Sequence, residues 1–336
     1  MDGAPEPRRA EVVVTYRAPQ DEREAIDATL ADTARVVYLS DLHRERRAGA
    51  LGGARALLSL HLQRELEGPG ELDLIAGVGL VQLLSAGADH VPFERIAPEV
   101  PVASNAGAYA RPMAEHVLAL TLALGKRLPQ NHAALARGGF DRRALNLELR
   151  SSVAGILGFG GIGQASAALF RAFDARIHAI GRGRAAAPDG VDRFGTLEDL
   201  DELLAGADVL VIALPLTRRT RGLIGRRELS LMKSHAILVN PARAAIVEED
   251  ALYEHLREHP SFSAGLDVWW QEPGRGDAFA TRRPFFELPN LLGSPHNSAL
   301  TRGALAAAAR DAAENIRRFL AGERPLHLVD RGEYAE

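Results

Sequence analysis

Three side chains of complementary chemistry stand late in the chain: Arg243 in VNPARAAIV, Glu272 in GLDVWWQEP and His296 in LLGSPHN, separated by 29 and 24 residues. An imidazole moves a proton at neutral pH, a carboxylate beside it orients the ring, and a guanidinium holds carboxylate and carbonyl oxygens. Brought together, the three would suit hydride transfer at a carbonyl with His296 handling the hydroxyl proton. Taken singly, each has a structural reading: an ion pair for Arg243 or Glu272, a helix cap for His296.

A second chemical feature lies upstream. Gly158, Phe159, Gly160, Gly161, Ile162 and Gly163 fit GxGxxG, between an apolar run Val153 to Leu157 and a helical run Gln164 to Phe173. In that context the first Gly makes a tight turn, the second admits a pyrophosphate and the third permits close helix packing, with the helix N-terminus facing the phosphates. The next strand is expected to end at Ile180, where an NAD-type site would carry an acid for the ribose 2′-hydroxyl. Here stand Gly181, Arg182, Gly183 and Arg184. Loss of the acid removes repulsion against a 2′-phosphate, and a guanidinium takes that phosphate bidentately, so the sequence favours NADP(H), with NAD(H) possible. The rival is an exposed turn in an arginine-rich protein.

These residues need a scaffold that delivers them to one edge. Short apolar runs recur at Glu11 to Tyr16, Val36 to Leu39, Ala56 to Leu60, Val81 to Leu84 and Pro101 to Ser104. A second series follows at 153–157, 176–180, 209–214, 236–239, 263–268 and 291–294. Runs such as VLVIAL read as strands buried on both faces of a parallel sheet, with helices between them. Arg243, Glu272 and His296 each follow such a strand, on the side where open α/β sheets bind ligands. One long helix is expected from Pro112 towards Leu135, and an Ala-rich helix from Thr301 to Leu320.

The 336 residues suit two domains. Zero cysteines exclude disulfides, a cysteine nucleophile, thiolate zinc and an iron–sulfur cluster. A net charge of −4 offers no basic field for nucleic acid or an acidic membrane, and Lys126 and Lys233 are the only lysines. No uncharged apolar run approaches the roughly 20 residues a membrane helix needs, and Met1 to Arg9 lacks an apolar leader core. A soluble cytoplasmic protein with small-molecule partners is expected.

Several ordered stretches carry a resemblance: GFGGIG, LLSAGADHV (83–91), NAGAYARPMAEHVLALTLAL (105–124), LPLTRRTRGLIGRRELSLMKSHAILVNPAR (214–243), GLDVWWQEP (265–273) and SPHN (294–297). The chain resembles the D-isomer-specific 2-hydroxyacid dehydrogenase family over almost its whole length. The resemblance implies that His296 is the acid/base, Glu272 its carboxylate partner and Arg243 the substrate-polarising arginine. It implies that the Ala86 and Gly87 amides bind the substrate carboxylate. It places Asp267 near the nicotinamide amide, and Leu214, Pro215, Thr220, Pro241 and Ala242 along the cofactor. Gly181 with Arg182 is similar to the pattern of NADPH-preferring glyoxylate and hydroxypyruvate reductases, and Ala244 replaces a common Gly. The alternatives are a formate- or phosphite-type dehydrogenase of the family, or a nicotinamide-sensing regulatory protein.

The family implies two Rossmann-like α/β domains with parallel sheets and a cleft between them. Residues 1–104 plus 299–336 would form the substrate-binding domain and 105–298 the dinucleotide-binding domain, in a homodimer. His116 reads as a packed or interface histidine. His255 and His259 lack the HExxH register, so no metal site is expected. Arg111, and the cluster Arg218, Arg219 and Arg221, read as solvated.

Overall fold

A computed structural model describes residues 9–68, 70–183, 187–274 and 276–334. Arg184, read above with the Arg182 turn, and the opening residues Met1 to Arg8 lie outside them. The chain divides into two compact units, one running up to Ala108 and resuming at Thr301, the other spanning Tyr109–Leu300.

The first unit alternates strand and helix: β1 (Ala10–Val14), α1 (Gln20–Leu30), β2 (Ala34–Tyr38), α2 (Arg44–Gly53), β3 (Ala56–Ser59), α3 (Leu62–Glu65), β4 (Val81–Leu83) and β5 (Val102–Ala103). All pairings are parallel, in the order β2-β1-β3-β4-β5. Val12, Val13, Val14, Leu57 and Leu58 are fully buried, because helices cover both faces of the sheet.

The second unit holds α4 (Ala110–Gly125), α5 (Leu128–Ala136), β6 (Val153–Leu157), α6 (Gly161–Arg171), β7 (Arg176–Ile180), β8 (Arg193–Gly195), α7 (Leu200–Gly206), β9 (Val209–Ile212), α8 (Arg226–Leu231), β10 (Ile237–Asn240), α9 (Glu249–Glu258), β11 (Ser263–Leu266) and β12 (Leu291–Gly293). Its seven strands run parallel in the order β12-β11-β10-β9-β6-β7-β8. Every residue of β6, β9 and β10 is buried, as the continuous apolar runs require. The order reverses between β6 and β9, which makes a switch point at their C-terminal ends.

The chain then enters α10 (Ala304–Leu320) of the first unit. Ala308, Ala309, Ala312, Ala313 and Ile316 line its buried stripe, and the small size of the four alanines lets α10 come close against α1. The following apolar segment pairs antiparallel with β5 through Ala103 and Leu328, with Val329 N–H donating to Val102 O at 2.8 Å.

Two expectations change. The single helix from Pro112 towards Leu135 is two helices, because Arg127 adopts a left-handed φ of 54° and Pro129 restarts the next helix in its first turn. The short strand β8 carries one large apolar residue, Phe194, too little for a periodic signal. Among the described residues no helix is long and apolar enough to cross a membrane.

Candidate active site

The glycine turn sits at the switch point. Gly158 follows β6 with a φ of 105°, and a Cβ there would lie 2.5 Å from Ala213 O and 2.9 Å from Leu214 N. A side chain is therefore excluded by backbone that follows β9, and the turn lies against Leu214. A Cβ on Gly163 would approach Gly158 O to 2.1 Å, so this glycine lets α6 pack onto the turn. Gly160 differs, since a Cβ there would meet nothing within 4 Å. Fold packing explains the first and third glycines, whereas Gly160 leaves open space beside the helix terminus. Gly160 is the N-cap of α6, without a side-chain cap, so the backbone donors of the Gly161–Ile162 turn face a region free of protein side-chain capping. This cradle fits a dinucleotide pyrophosphate.

The exit of β7 lies beside the turn. A Cβ on Gly181 would come within 2.5 Å of the Phe194 ring and 3.4 Å of Phe159 Cβ. Phe194 and Phe159 meet edge to face at 5.7 Å and close over the position. The space in which an acid would grow is filled by β8. Arg182 follows, exposed, ahead of Gly183 with a φ of 75°.

Leu214 and Pro215 follow β9. The buried Thr220 hydroxyl donates to Pro215 O at 2.7 Å and accepts from Thr217 N–H at 2.8 Å, so Thr220 closes the turn of which Leu214 and Pro215 form the mouth. Pro241 and Ala242 are buried behind β10. The turn is built by Asn240, which is also buried: its side chain accepts from Ala242 N–H at 3.0 Å and donates to Arg243 O at 3.0 Å. Arg243 Nη1 donates to Ala242 O at 2.9 Å, with the side chain part-exposed.

The exits of adjacent strands β10, β11 and β12 deliver Arg243, Glu272 and His296. His296 Nδ1 lies 2.9 and 2.8 Å from the two Glu272 carboxylate oxygens. Trp269 N–H donates to Glu272 Oε1 at 3.2 Å. Partial burial works against the Glu272 charge, but the His296 hydrogen bond and charge, the Trp269 amide and the Arg243 charge together hold its carboxyl below its ordinary value. All three predicted residues thus share one electrostatic neighbourhood.

Asp267, which the resemblance places near the nicotinamide amide, directly follows β11. It is fully buried, and its carboxylate accepts from Ser294 Oγ at 2.6 Å, Asn297 N–H at 3.1 Å and Ser298 N–H at 3.0 Å. His116 reaches Ser294 Oγ with Nε2 at 2.8 Å, so the packed histidine of the sequence reading has a polar partner beside the site. Asn240 and Ser294 lie inside the LVNPAR and SPHN stretches, but nothing in the sequence marks them as the residues that build the turns around Arg243 and His296.

Ala86 and Gly87 occupy the turn after β4 in the first unit, where Ser85 Oγ donates to Gly87 O at 2.8 Å. Arg111 is exposed and 3.6 Å from Glu115. Among the described residues no group of three or more His, Cys, Asp or Glu is placed to hold a metal. His255 and His259 stack ring on ring, with centroids 4.2 Å apart, rather than converging on a common point.

The chain is similar in sequence and in fold to known proteins. Residues 118–298 match the sequence profile of the D-isomer specific 2-hydroxyacid dehydrogenase NAD binding domain. Glyoxylate reductase of Aeropyrum pernix is 38% identical over 240 residues, covering 68% of this chain and 69% of that protein. D-3-phosphoglycerate dehydrogenase of Methanocaldococcus jannaschii is 35% identical over 248 residues, which is 73% of this chain but 46% of the relative. This chain spans less still, 35%, of the corresponding Archaeoglobus fulgidus protein. Among solved structures, the D-isomer specific 2-hydroxyacid dehydrogenase of Xanthobacter autotrophicus Py2, in complex with NADPH and MES, is 29% identical. It superposes with a TM-score of 0.81 over 98% of this chain and 100% of that one.

Proposed function

The chain belongs to the D-isomer specific 2-hydroxyacid dehydrogenase family, and on that premise we propose that it reduces a small 2-keto acid to the D-2-hydroxy acid, with NADP(H) as preferred cofactor. The observation that carries the reading is the His296–Glu272 pair at 2.8 Å, within the field of Arg243. We assign the cofactor pyrophosphate to Gly158, Gly160, Gly161, Ile162 and Gly163, and the wall beside it to Leu214, Pro215, Thr220, Pro241 and Ala242. When bound, reduced nicotinamide supplies a hydride.

The chain's own residues handle charge and proton. With Nδ1 engaged by Glu272, His296 delivers its proton from Nε2 to the substrate carbonyl oxygen as that oxygen gains charge. Arg243 polarises the carbonyl, and its guanidinium geometry suits two oxygens at once. Asp267 acts at the nicotinamide end through the backbone segment it holds.

The preference for NADP(H) is supported by Gly181 in place of an acid, with the Phe194 ring crowding that position, and by Arg182 immediately after it. The Xanthobacter relative with NADPH bound is consistent with it. We also propose a homodimer. Helix α5 has no buried residue, and Leu128, Leu135, Phe140 and Leu145 between 128 and 145 are all exposed, the last two by 75% and 91%. A run of that kind marks an association surface.

The test follows NADPH absorbance with glyoxylate, hydroxypyruvate and bulkier 2-keto acids, and NADP+ reduction with formate and phosphite in parallel. Keto-acid turnover supports the proposal. Turnover of formate or phosphite alone, or of nothing, overturns it.

A further inference from the structure

His296 has a φ of 53°, a left-handed conformation that side chains other than glycine adopt only where their surroundings over-determine it. The surroundings here are one buried carboxylate. Asp267 takes the hydroxyl of Ser294, two residues before His296, and the backbone N–H groups of Asn297 and Ser298, immediately after it. Trp269 adds a second tie, its Nε1 donating to Ser294 O at 2.9 Å while its amide holds Glu272. The exit of β11 therefore staples both members of the acid/base pair.

The Asp267 carboxylate only accepts, so the single Ser294 hydroxyl proton is committed to it at 2.6 Å. Ser294 Oγ must then accept from His116 Nε2, which fixes the proton of His116 on Nε2 and accounts for its 3.7 Å distance from Asp267 Oδ1. His116 comes from α4, a rigid element seated on β11: a Cβ on Gly265 would lie 3.1 Å from Leu120 Cβ, so the glycine lets the helix approach.

We propose that His116 and Ser294 are positioning residues for the acid/base. With Asp267 they form a part-buried clamp, running from α4 to the exits of β11 and β12, that holds His296 in its left-handed backbone and keeps Nδ1 on Glu272. The clamp rests on the reading of His296 as the proton donor, and its test separates the two.

The test compares His116→Leu, His116→Gln, whose amide restores an N–H donor, and Ser294→Ala, a small change that keeps the fold. His116→Leu and Ser294→Ala are each expected to lower kcat about ten- to a hundredfold, as misplacement of a reacting group does, with KM and the NADPH Kd within about threefold. His116→Gln recovers most of the loss, and the double variant His116→Leu/Ser294→Ala loses no more than the worse single one. Independently of turnover, the low-field Nδ1 proton of His296, assigned by its absence in His296→Ala, should be sharp in the wild type and broadened in His116→Leu and Ser294→Ala. Unchanged kcat, equal losses in the Leu and Gln variants, or an unaltered His296 resonance overturns the clamp. A sharp wild-type resonance that broadens in both variants, without any turnover by the wild type, keeps the clamp and overturns the proposed reaction.

Discussion

Glu272 meets His296 Nδ1 with both carboxylate oxygens, at 2.9 and 2.8 Å, while the Trp269 amide holds one of those oxygens in place. The pairing fixes the tautomer, since the proton facing a carboxylate sits on Nδ1 and leaves Nε2 for exchange with substrate. His296→Ala should therefore lower kcat by about a hundred- to ten-thousandfold, the range of a lost general acid. NADPH binding, followed by fluorescence titration, should be unchanged. Glu272→Gln should also lower kcat, by less, because the ring remains. Wild-type turnover in His296→Ala would remove the histidine from the mechanism.

The glycines of the turn should separate stability from cofactor binding. Gly158→Ala puts a methyl group 2.5 Å from a carbonyl oxygen at a φ of 105°, so its thermal midpoint should fall clearly. Gly160→Val projects into open space and should cost about 1 kcal/mol or less in urea unfolding. It should nonetheless weaken NADPH binding strongly. Equal unfolding curves for the two variants would contradict the geometry.

Arg182→Ala should raise the KM for NADPH about ten- to a hundredfold, the worth of a charge-assisted phosphate contact, and leave NADH nearly untouched. Gly181→Asp is expected to be destabilising rather than to switch the cofactor, since the Phe194 ring occupies its space. Steady-state kinetics with both cofactors checks the first, thermal unfolding the second.

His255 supplies a pH dependence. Burial first, and the adjacent His259 second, lower its pKa from 6.5 to about 4, and its Nε2 is buried without a hydrogen-bond partner. The unfolded chain therefore binds a proton at this site more readily than the folded one. The contribution to stability is complete above pH 6.5 and declines as pH falls towards about 4. His255→Leu should flatten that part of a urea-unfolding series across pH. A series as steep as that of the wild type would assign the acid limb elsewhere.

The exposed apolar segment should control association. Leu135→Asp with Phe140→Asp should leave the thermal unfolding of the isolated chain nearly unchanged, because neither side chain is buried in it. Light scattering should then report a monomer for the variant and a dimer for the wild type. A dimer in both would place the interface on another surface.

The sequence by itself determined the strand-and-helix alternation, the glycine turn with its neighbours, and the trio Arg243, Glu272 and His296. These are local patterns, and each follows a strand whose apolar run is self-evident. Tertiary structure alone decided the rest, because it depends on side chains far apart in the chain. Ser294 and His116 are 178 residues apart, and no periodicity distinguishes a histidine that donates to a serine from one that merely packs. Asp267 reads as a site acid, yet its burial is set by β11 and β12 lying side by side, 27 residues apart at the Ser294 contact. The aromatic lid over Gly181 likewise required β8, a strand too short to announce itself. Patterns near in sequence report which groups are present, and the pairing of strands decides which of them meet.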